Sequence, residues 1–441
     1  MAWTQQTNDI PPNSNWYTCA SDSSGNNLIA CIYGGGVYTS TNSGINWTLR
    51  TTGLVAAANW RISASSYDGV NLIIGAYTVG LYTSTNSGIS WTQRTTGLPA
   101  PANWRAAVTS SDGSKLVAAV YGGGIYTSSN FGVNWTQRTT GLPSNVNWKG
   151  LASSADGTKL AAVINGGGIY TSANSGLSWT QQTIGVPVNP TWNKVTSSAD
   201  GTKLYAIIYG GGIYTSTNSG LSWNQQTNSL LANQNQNWNS VTSSYDGTIV
   251  ATAIENGGIY ISGDSGINWV LQINGLPTSA TWNKISFNSD GTKIIAASSN
   301  SLYTYISSDI CFPANTPIST DQGIIMIDQL NSDYTINNKP ILAIIKTTTL
   351  DKFVICFKKN SLGLNYPTKN TIMSKDHMVF YRGQMIHAIK FIGKFENVYK
   401  VKYNGELLYN ILMEDYSTIK VNNLICETLH PDNLIAKLFM N

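Results

Sequence analysis

The sequence of 441 residues has few charged side chains: 26 Lys and Arg and 22 Asp and Glu make up 11 % of the chain and leave a net charge of +4. Surfaces that bind nucleic acid are usually strongly basic, so this balance argues against a nucleic-acid partner. No apolar run approaches the roughly 20 residues that cross a bilayer, and the start, Met-Ala-Trp-Thr-Gln-Gln, lacks the regions of a secretory signal. We therefore predict that the protein has no membrane partner either.

Cysteine is scarce as well, and its positions are far apart. The five cysteines are Cys19, Cys31, Cys311, Cys356 and Cys426. No CxxC pair is present, which argues against a zinc site, and a disulfide framework is not expected in a chain of this length. We expect free thiols, a reducing intracellular location, and no metal or organic cofactor.

The first 310 residues are repetitive. Seven tryptophans open seven copies of one pattern, five of the six intervals being 44 residues and one being 46: Trp16, Trp60, Trp104, Trp148, Trp192, Trp238 and Trp282. Each copy contains four short runs with strand character, separated by Asp-Gly, Gly-rich and Asn-Ser-Gly turns. Four strands in each of seven copies predict an all-β, seven-bladed β-propeller over residues 1–308, with a solenoid as the alternative.

The two ends of this region favour a closed ring. The seventh copy lacks the last segment of the pattern, "SWTQQT", whereas "WTQQT" occurs at residues 3–7. We expect this N-terminal strand to complete the last blade, because closing the ring removes the exposed strand edges that a solenoid would retain.

The turn between the third and fourth predicted strands has the pattern S-x-[ND]-x-G-x-x-W, as in "STNSGISW" at residues 84–91. An Asn or Asp side chain can bond the backbone two residues on, Gly supplies a positive φ, and Trp forms a large apolar plug. The pattern resembles the Asp-box, or BNR, repeat of sialidases and of photosystem assembly-factor and sortilin-type propellers. In that family the boxes are structural, and the non-enzymatic members bind proteins or peptides.

Sialidase activity is not expected despite this resemblance. That family uses three converging arginines and a Tyr nucleophile with a Glu partner. Here Arg50, Arg94 and Arg138 occupy equivalent positions in the predicted fourth strands and should point the same way on neighbouring blades, and Glu255 is the only glutamate in the first 310 residues.

A binding rim can be proposed on the side of the Gly-rich turns. Four tyrosines directly precede these turns: Tyr33, Tyr77, Tyr121 and Tyr209. Asn165 and Glu255 take the same position in two other copies. Aromatic side chains beside glycines are common in recognition surfaces, so we predict a protein or peptide ligand there. The alternative is that these tyrosines only end their strands and pack between blades.

Residues 309–441 do not repeat and read as a second, smaller all-β domain. Its start, "CFPANTPISTDQG" from Cys311, closely resembles the first block of the Hint module of hedgehog proteins and inteins. "TIMSKDHMVFYRGQMIHA" resembles the second block, with Ser374 in place of the usual Thr and His377 as its histidine. The resemblance extends less closely to about residue 428.

The resemblance implies an N-to-S acyl shift at Ile310–Cys311. The Cys311 thiolate would attack the carbonyl of Ile310, His377 would protonate the departing amide, and Ser374 would orient the scissile peptide. Asp376 is a candidate helper or a solvated loop residue. Cys356 is expected in the core, and Cys426 is either core or a second thiol. His387 and His430 are expected at the surface.

The residues near the end of the chain constrain the fate of the thioester. Splicing requires a terminal His-Asn pair, where this chain has "NNLICETLHP", and sterol transfer requires a longer tail. We therefore predict an autoprocessing protein that releases a ligand-binding propeller. The alternative is a structural or interaction protein with a silent Hint fold, since Ile310 is β-branched and a late His of the pattern is missing near Tyr416. The fusion resembles proteins of large DNA viruses of protists, which implies a cytoplasmic or virion-associated location.

Overall fold

The computed structural model describes residues 3–227, 236–306, 311–347, 353–403, 407–413 and 417–428. The chain divides into two compact units, Ala2–Ile306 and Ser307–Asn441. Ile310, Tyr416 and His430 lie outside the described residues.

The first six repeats of the N-terminal unit each form four antiparallel strands in chain order, and the seventh forms three that are joined by a strand from the start of the chain. The first strands are β2 (Trp16–Ser21), β6 (Ala58–Ser65), β10 (Trp104–Thr109), β14 (Val146–Ser153), β18 (Trp192–Ser197), β22 (Gln236–Ser243) and β26 (Ala280–Phe287). The second strands are β3 (Leu28–Gly35), β7 (Leu72–Ala76), β11 (Leu116–Gly123), β15 (Leu160–Ile164), β19 (Leu204–Gly211), β23 (Val250–Gly257) and β27 (Lys293–Ser298).

The remaining strands of this unit complete the repeats. The third strands are β4 (Val37–Ser40), β8 (Gly80–Ser84), β12 (Ile125–Ser128), β16 (Ile169–Ser172), β20 (Ile213–Ser216), β24 (Ile259–Ser262) and β28 (Leu302–Ile306). The fourth strands are β5 (Thr48–Arg50), β9 (Thr92–Arg94), β13 (Thr136–Arg138), β17 (Thr180–Gln182), β21 (Asn224–Gln225), β25 (Val270–Gln272) and, from the start of the chain, β1 (Thr4–Gln6).

The core of the N-terminal unit lies between successive repeats. Every residue of β15 is buried, because both of its faces are covered. One cluster joins Val117 and Ala119 of one repeat to Trp148, Leu160 and Ala162 of the next. Strands that are covered on both faces read as continuous apolar runs, which accounts for segments such as "LAAVI".

The Gly-rich segments are more than turns. In four repeats the second strand continues through the glycines and pairs with the first strand of the next repeat, for example Tyr121 with Asn147 and Gly123 with Val146. A register shift at Gly122, whose φ is 74°, allows the strand to bend between its two partners. The alternative that the tyrosines end their strands therefore does not hold for Tyr33, Tyr121 and Tyr209.

The start of the chain pairs with the seventh repeat. Thr4, Gln5 and Gln6 lie opposite Thr304, Tyr303 and Leu302 in an antiparallel ladder. The Trp3 amide donates to the Asn274 carbonyl at 3.0 Å, just as the Trp179 amide donates to the Thr140 carbonyl at 3.1 Å. Trp3, which is buried, therefore takes the position of an Asp-box tryptophan in a repeat that lacks its own.

A cycle of seven backbone hydrogen bonds links the turns between first and second strands. In each bond one turn donates to the next turn around: Ser23 to Tyr67, Tyr67 to Ser111, Ser111 to Ala155, Ala155 to Ala199, Ala199 to Tyr245, Tyr245 to Ser289 and Ser289 to Ser23, with lengths from 2.6 to 3.0 Å. The cycle returns to its first member, so the seven repeats are joined end to end.

The Asp-box of residues 84–91 shows why its residue types are needed. Ser84 Oγ accepts from the Gly88 amide at 2.9 Å, and Asn86 Oδ1 accepts from the Ser90 amide at 3.0 Å. The Asn bond thus spans four residues rather than the expected two, because Ser87 and Gly88 both have positive φ and turn the chain back. The side chain of Trp91 is buried, and its Nε1 donates a hydrogen bond to the Gly88 carbonyl at 3.0 Å.

The strands in the described part of the C-terminal unit form three sheets. The first sheet has β29 (Phe312–Pro313), β39 (Leu408–Met413), β33 (Lys339–Thr347) and β32 (Thr335–Ile336) in this order. The second has β31 (Gly323–Met326), β30 (Pro317–Thr320), β40 (Thr418–Val421), β41 (Leu424–Glu427), β36 (Met378–Tyr381) and β37 (Gln384–His387). The third has β35 (Thr371–Met373), β34 (Phe353–Phe357) and β38 (Val398–Lys402).

Some apolar runs of this unit form more than one element. "TIKVNNLICETL" is a hairpin of β40 and β41, because Asn422 and Asn423 both have positive φ and reverse the chain. Two 3₁₀ turns, Ile327–Gln329 and Ala388–Phe391, end runs that the sequence predicts as strands. One cluster of buried side chains from all three sheets, among them Phe312, Ile355 and Val379, forms the core.

Candidate active site and binding rim

Cys311 lies at the start of the described C-terminal unit and is 2 % exposed. Its neighbour Phe312 fixes this position because it is fully buried and pairs with Tyr409 of β39. The Cys311 amide nitrogen donates a hydrogen bond to Ser374 Oγ at 3.0 Å, and the Ser374 amide donates to the Cys311 carbonyl at 2.9 Å. This pair of bonds holds both backbone polar groups of Cys311, its N–H and its C=O, against Ser374.

His377 is fully buried in the turn between β35 and β36. Its ring lies 4.0 Å from the ring of Phe312, measured between centroids, which places it beside the first residues of the unit. Burial lowers the pKa of His377 to about 3, and hydrogen bonding to the backbone of Glu427 and Cys311 opposes that shift. The imidazole is therefore neutral at pH 7.

The contacts of the two ring nitrogens define the tautomer. His377 Nε2 lies 3.3 Å from the Glu427 carbonyl oxygen, which can only accept, so Nε2 carries the proton and donates. Nδ1 is then the basic nitrogen, and it is buried without a hydrogen bond of acceptable geometry. The backbone of Cys311 nevertheless contributes to the pKa of His377, so the ring and Cys311 are close. A buried, unprotonated imidazole that is close to a cysteine residue is a candidate base for its thiol.

Asp376 lies in the same turn and is half-buried. Its carbonyl oxygen accepts a hydrogen bond from His387 Nδ1 at 2.9 Å, which ties β37 to the turn. His387 is half-buried rather than a surface residue, because this bond and the adjoining 3₁₀ turn cover its ring. Asp376 therefore contributes to the position of the turn through its backbone.

Cys356 and Cys426 are both buried, and neither forms a disulfide. Cys426 belongs to the main apolar cluster of the unit, and burial raises the pKa of its thiol, with a smaller contribution from Glu427. A thiol that is kept neutral in an apolar core is a poor nucleophile. This environment favours the core assignment of Cys426 over a second reactive thiol.

The four tyrosines of the predicted rim differ in exposure. Tyr77 and Tyr209 are 37 % and 39 % exposed, whereas Tyr33 and Tyr121 are half-buried. Tyr209 donates to Glu255 Oε2 at 2.5 Å, and this bond to a carboxylate raises the pKa of Tyr209. The tyrosines therefore retain accessible ring surface and do not only pack between repeats.

Cations directly follow three of the repeat tryptophans, and two of them lie against tyrosines of the rim while the third contacts Tyr17. The Arg61 guanidinium is 4.6 Å from the centre of the Tyr77 ring, and Lys149 Nζ is 5.9 Å from that of Tyr121. Arg105 donates to Tyr17 Oη at 3.0 Å. The rim predicted from the sequence did not include these cations, although the pattern Trp-Arg, Trp-Arg, Trp-Lys in three successive repeats is visible in the sequence.

The arginines of the fourth strands do not form a cluster. Each Nε donates at 2.7 Å to a Thr of the neighbouring third strand: Arg50 to Thr39, Arg94 to Thr83 and Arg138 to Thr127. The three side chains are thus held within separate repeats, and they do not assemble the carboxylate site of a sialidase.

The described ranges contain no set of side chains that could hold a metal ion together, since no three His, Cys, Asp or Glu residues in them are suitably placed. In the same ranges, no helix is long and apolar enough to pass through a membrane.

Comparison with known proteins supports the architecture of the repeats. The family model described as "BNR-Asp box repeat" matches residues 125–138. YCF48 bound to D1 peptide is similar in structure, with a TM-score of 0.55 and 17 % identity over 70 % of this chain and 96 % of the other. YCF48 from Cyanidioschyzon merolae gives a TM-score of 0.54 and 16 % identity over 69 % of this chain and 98 % of the other. The chain contains a β-propeller.

A third solved structure has the same fold. The β-propeller domain of Myceliophteria thermophila Cps50 (Swd1) gives a TM-score of 0.53 and 12 % identity over 68 % of this chain and 99 % of the other. At this level of identity the likeness concerns the fold alone. The comparison with curated proteins gave no match.

Proposed function

We propose that the C-terminal unit is a Hint-type autoprocessing module that cleaves the chain between Ile310 and Cys311 and releases a seven-bladed propeller. The observation that carries the proposal is the hydrogen bond of the Cys311 amide nitrogen to Ser374 Oγ, in the same buried site as neutral His377. The amide nitrogen is the leaving group of the reaction, and a neutral base lies next to the nucleophilic residue.

The first step transfers one proton and forms one bond. His377 Nδ1 accepts the proton of the Cys311 thiol, and the resulting thiolate attacks the carbonyl carbon of residue 310. The hydrogen bond from the scissile amide to Ser374 Oγ restricts rotation of this amide during the attack. In the tetrahedral intermediate the imidazolium at His377 is balanced by the negative oxygen.

The second step returns the proton and breaks the peptide bond. As the carbon–nitrogen bond opens, His377 delivers its proton to the nitrogen of Cys311, which leaves as a free α-amine. The product is a thioester between the carbonyl of Ile310 and the sulfur of Cys311. Water or an added thiol then displaces Cys311, giving fragments 1–310 and 311–441.

His377 begins the reaction unprotonated, so in the proposed mechanism it accepts a proton before it donates one. At pH 7 a group whose pKa is about 3 is almost entirely unprotonated, so it cannot begin the reaction as an acid. Taking the thiol proton supplies the acid for the second step. The same neutral histidine therefore serves both steps without proton exchange with solvent.

The purified full-length chain tests the proposal. Incubation with dithiothreitol or hydroxylamine at neutral pH should release fragments whose intact masses correspond to residues 1–310 and 311–441, and Cys311→Ala should abolish release. Ile310→Gly should accelerate it, because the β-branched side chain shields the carbonyl. If the wild type and Ile310→Gly both remain intact for days, the module is a silent fold and the alternative of a structural or interaction protein replaces this proposal.

The seven-blade assignment rests on the two ends of the N-terminal unit. A solenoid leaves the edges of its terminal repeats unpaired. Here β1 pairs with β28, and the seven turns are joined in one cycle of hydrogen bonds. Both features support a ring in which the N-terminal strand completes the seventh blade.

A second candidate function is the binding of a polypeptide at the tyrosine rim. Exposed Tyr77 and Tyr209, the adjoining cation Arg61 and a similar propeller described as bound to a peptide favour it. Peptides selected from a displayed library against the released propeller should lose affinity by tenfold or more with Tyr77→Ala or Tyr209→Ala. Tyr67→Ala, in a turn between first and second strands, is the control. Equal binding by all three variants would place the ligand elsewhere.

A further inference from the structure

The seven first strands of the N-terminal unit surround a cavity. Residues from all seven, including Cys19, Leu151 and Lys284, line a space of about 260 Å³. Because every repeat contributes its first strand, this cavity lies on the axis of the ring. Lys284 is a cation that lines this cavity. Arg105, Lys149 and Lys194 are not among the lining residues, but each precedes a lining residue of its own strand by one or two positions, so these three cations lie towards the end of the cavity at which the first strands begin.

The charges on these strands are all of one sign. The seven first strands contain five cations, Arg61, Arg105, Lys149, Lys194 and Lys284, and no Asp or Glu. None of the five forms an ion pair within the described residues. Glu255, which acts electrostatically on Lys149, lies on a second strand and is bonded to Tyr209.

The cations act on one another. Burial, then the charges of Arg105 and Arg61, lower the pKa of Lys149 to about 8, against a smaller effect of Glu255. Burial, then Arg105, Lys284 and Lys149, lower the pKa of Lys194 well below its ordinary value. Lys194 and Lys284 keep some accessible surface although protein surrounds them closely, as expected for side chains beside a narrow channel.

The tyrosines do not relieve this repulsion. Arg61 stacks on Tyr77, and Arg105 donates to Tyr17, so both guanidinium groups are positioned by neutral partners. Such contacts orient a cation but leave its charge in place. Arg61 also has a buried Nε without a hydrogen-bond partner. A confined set of positioned, unneutralised cations is complementary to an anion.

We propose that the end of the axial channel at which the first strands begin is a binding site for an oxyanion of about the size of phosphate, with Arg105, Lys149 and Lys194 as its principal ligands. The guanidinium supplies paired N–H donors, and the two ammonium groups supply charge. The proposal does not rest on cleavage at Cys311.

Calorimetry on the full-length protein tests the site with inorganic phosphate as the probe, at an ionic strength held constant with potassium chloride. We expect saturable binding that Arg105→Gln and Lys194→Met each weaken at least tenfold. Arg138→Gln, in a fourth strand, and Lys159→Met, whose Nζ is bonded to the Asp200 carbonyl, are matched controls that should bind as the wild type does. Acetate should bind through the same residues if a carboxylate is the natural ligand.

Thermal unfolding with and without phosphate is a second measurement of binding, which can be used if a variant is too insoluble for calorimetry. Lys194→Met removes a half-buried lysine that lies among other cations, so the variant should unfold at a higher temperature than the wild type without phosphate and gain less on its addition. The proposal is overturned if phosphate stabilises the wild type no more than chloride does. It is also overturned if Arg105→Gln and Lys194→Met bind phosphate as tightly as the controls do.

Discussion

Both units of the chain contain buried bases whose pKa is lowered, but the surroundings differ. In the C-terminal unit, burial alone lowers the pKa of His377, and hydrogen bonding to two backbone groups opposes it. In the N-terminal unit, neighbouring cations add to burial and lower the pKa of Lys149 and Lys194 further. His377 is an unprotonated base close to a cysteine, whose thiol could supply a proton. The two lysines instead lie among other cations, and a bound anion could balance their charge.

This difference separates two kinds of function. A neutral base that is held beside a nucleophile is suited to moving a proton within the protein. A group of cations without carboxylates is suited to binding. Changes at one site should therefore leave the other site unaffected, and variants of each unit test that separation, beginning with the largest expected effect.

Replacing His377 should have the largest effect. His377→Ala should slow thiol-induced cleavage by roughly 10²–10⁴-fold, the usual range for lost acid–base catalysis. Fragment release monitored by mass spectrometry gives the rate. Lys149→Met is the control for the other unit and should cleave at the wild-type rate. Cleavage at the wild-type rate in His377→Ala would remove the histidine from the mechanism.

Deleting residues 1–8 should destabilise the N-terminal unit strongly. The deletion removes the buried Trp3 and the β1–β28 ladder, and the loss of a buried aromatic alone costs about 3–5 kcal/mol. Chemical denaturation should show this loss in the N-terminal unit. Unchanged unfolding would contradict the closed ring in which β1 completes the seventh blade.

Removing one Asp-box tryptophan should have a comparable or slightly smaller effect. Trp179 is buried and donates from Nε1 to the Gly176 carbonyl, so Trp179→Ala should cost about 3–5 kcal/mol. The rate of cleavage at Cys311 should not change, because the tryptophan lies in the other unit. A variant that keeps its stability but loses a ligand would assign a binding role to the box.

The sequence predicted the features that depend on local pattern. Asp-Gly and Asn-Ser-Gly turns are encoded by adjacent residues, and the displaced "WTQQT" predicted the pairing of β1. It could not predict the contact of His377 with the Glu427 carbonyl, because every residue has a carbonyl and only the fold selects one. The proximity of Arg105 and Lys149 to the other cations could not be predicted either, because it depends on how seven strands that are distant in sequence are arranged around one axis.

Lowering the pH should reduce the stability of the C-terminal unit against unfolding, because His377 is buried in its neutral form. Its pKa is about 3 in the folded protein against an ordinary 6.5, so between these values the unfolded chain binds more protons. Stability should be fully present above pH 6.5 and fall as the pH drops. In a Cys311→Ala background, thermal unfolding between pH 6.5 and 5 should show this fall, and His377→Gln should reduce it. Equal slopes would mean that the histidine is already charged in the folded state.

Raising the pH should increase the stability of the N-terminal unit through Lys149, by less than acid lowers the stability of the C-terminal unit through His377. Its pKa is about 8 when folded against an ordinary 10.5, so the unfolded chain binds more protons between these values and stability should rise with pH across that window. Lys149→Met lacks this rise: it should be more stable than the wild type at pH 7, and its advantage should shrink towards pH 10. Arg105→Gln removes a repelling charge and should make the advantage of Lys149→Met smaller. If the channel binds an oxyanion, added phosphate should also reduce the stability difference between Lys149→Met and the wild type. A difference that neither Arg105→Gln nor phosphate changes would show that burial alone, without the neighbouring cations, lowers the pKa of Lys149.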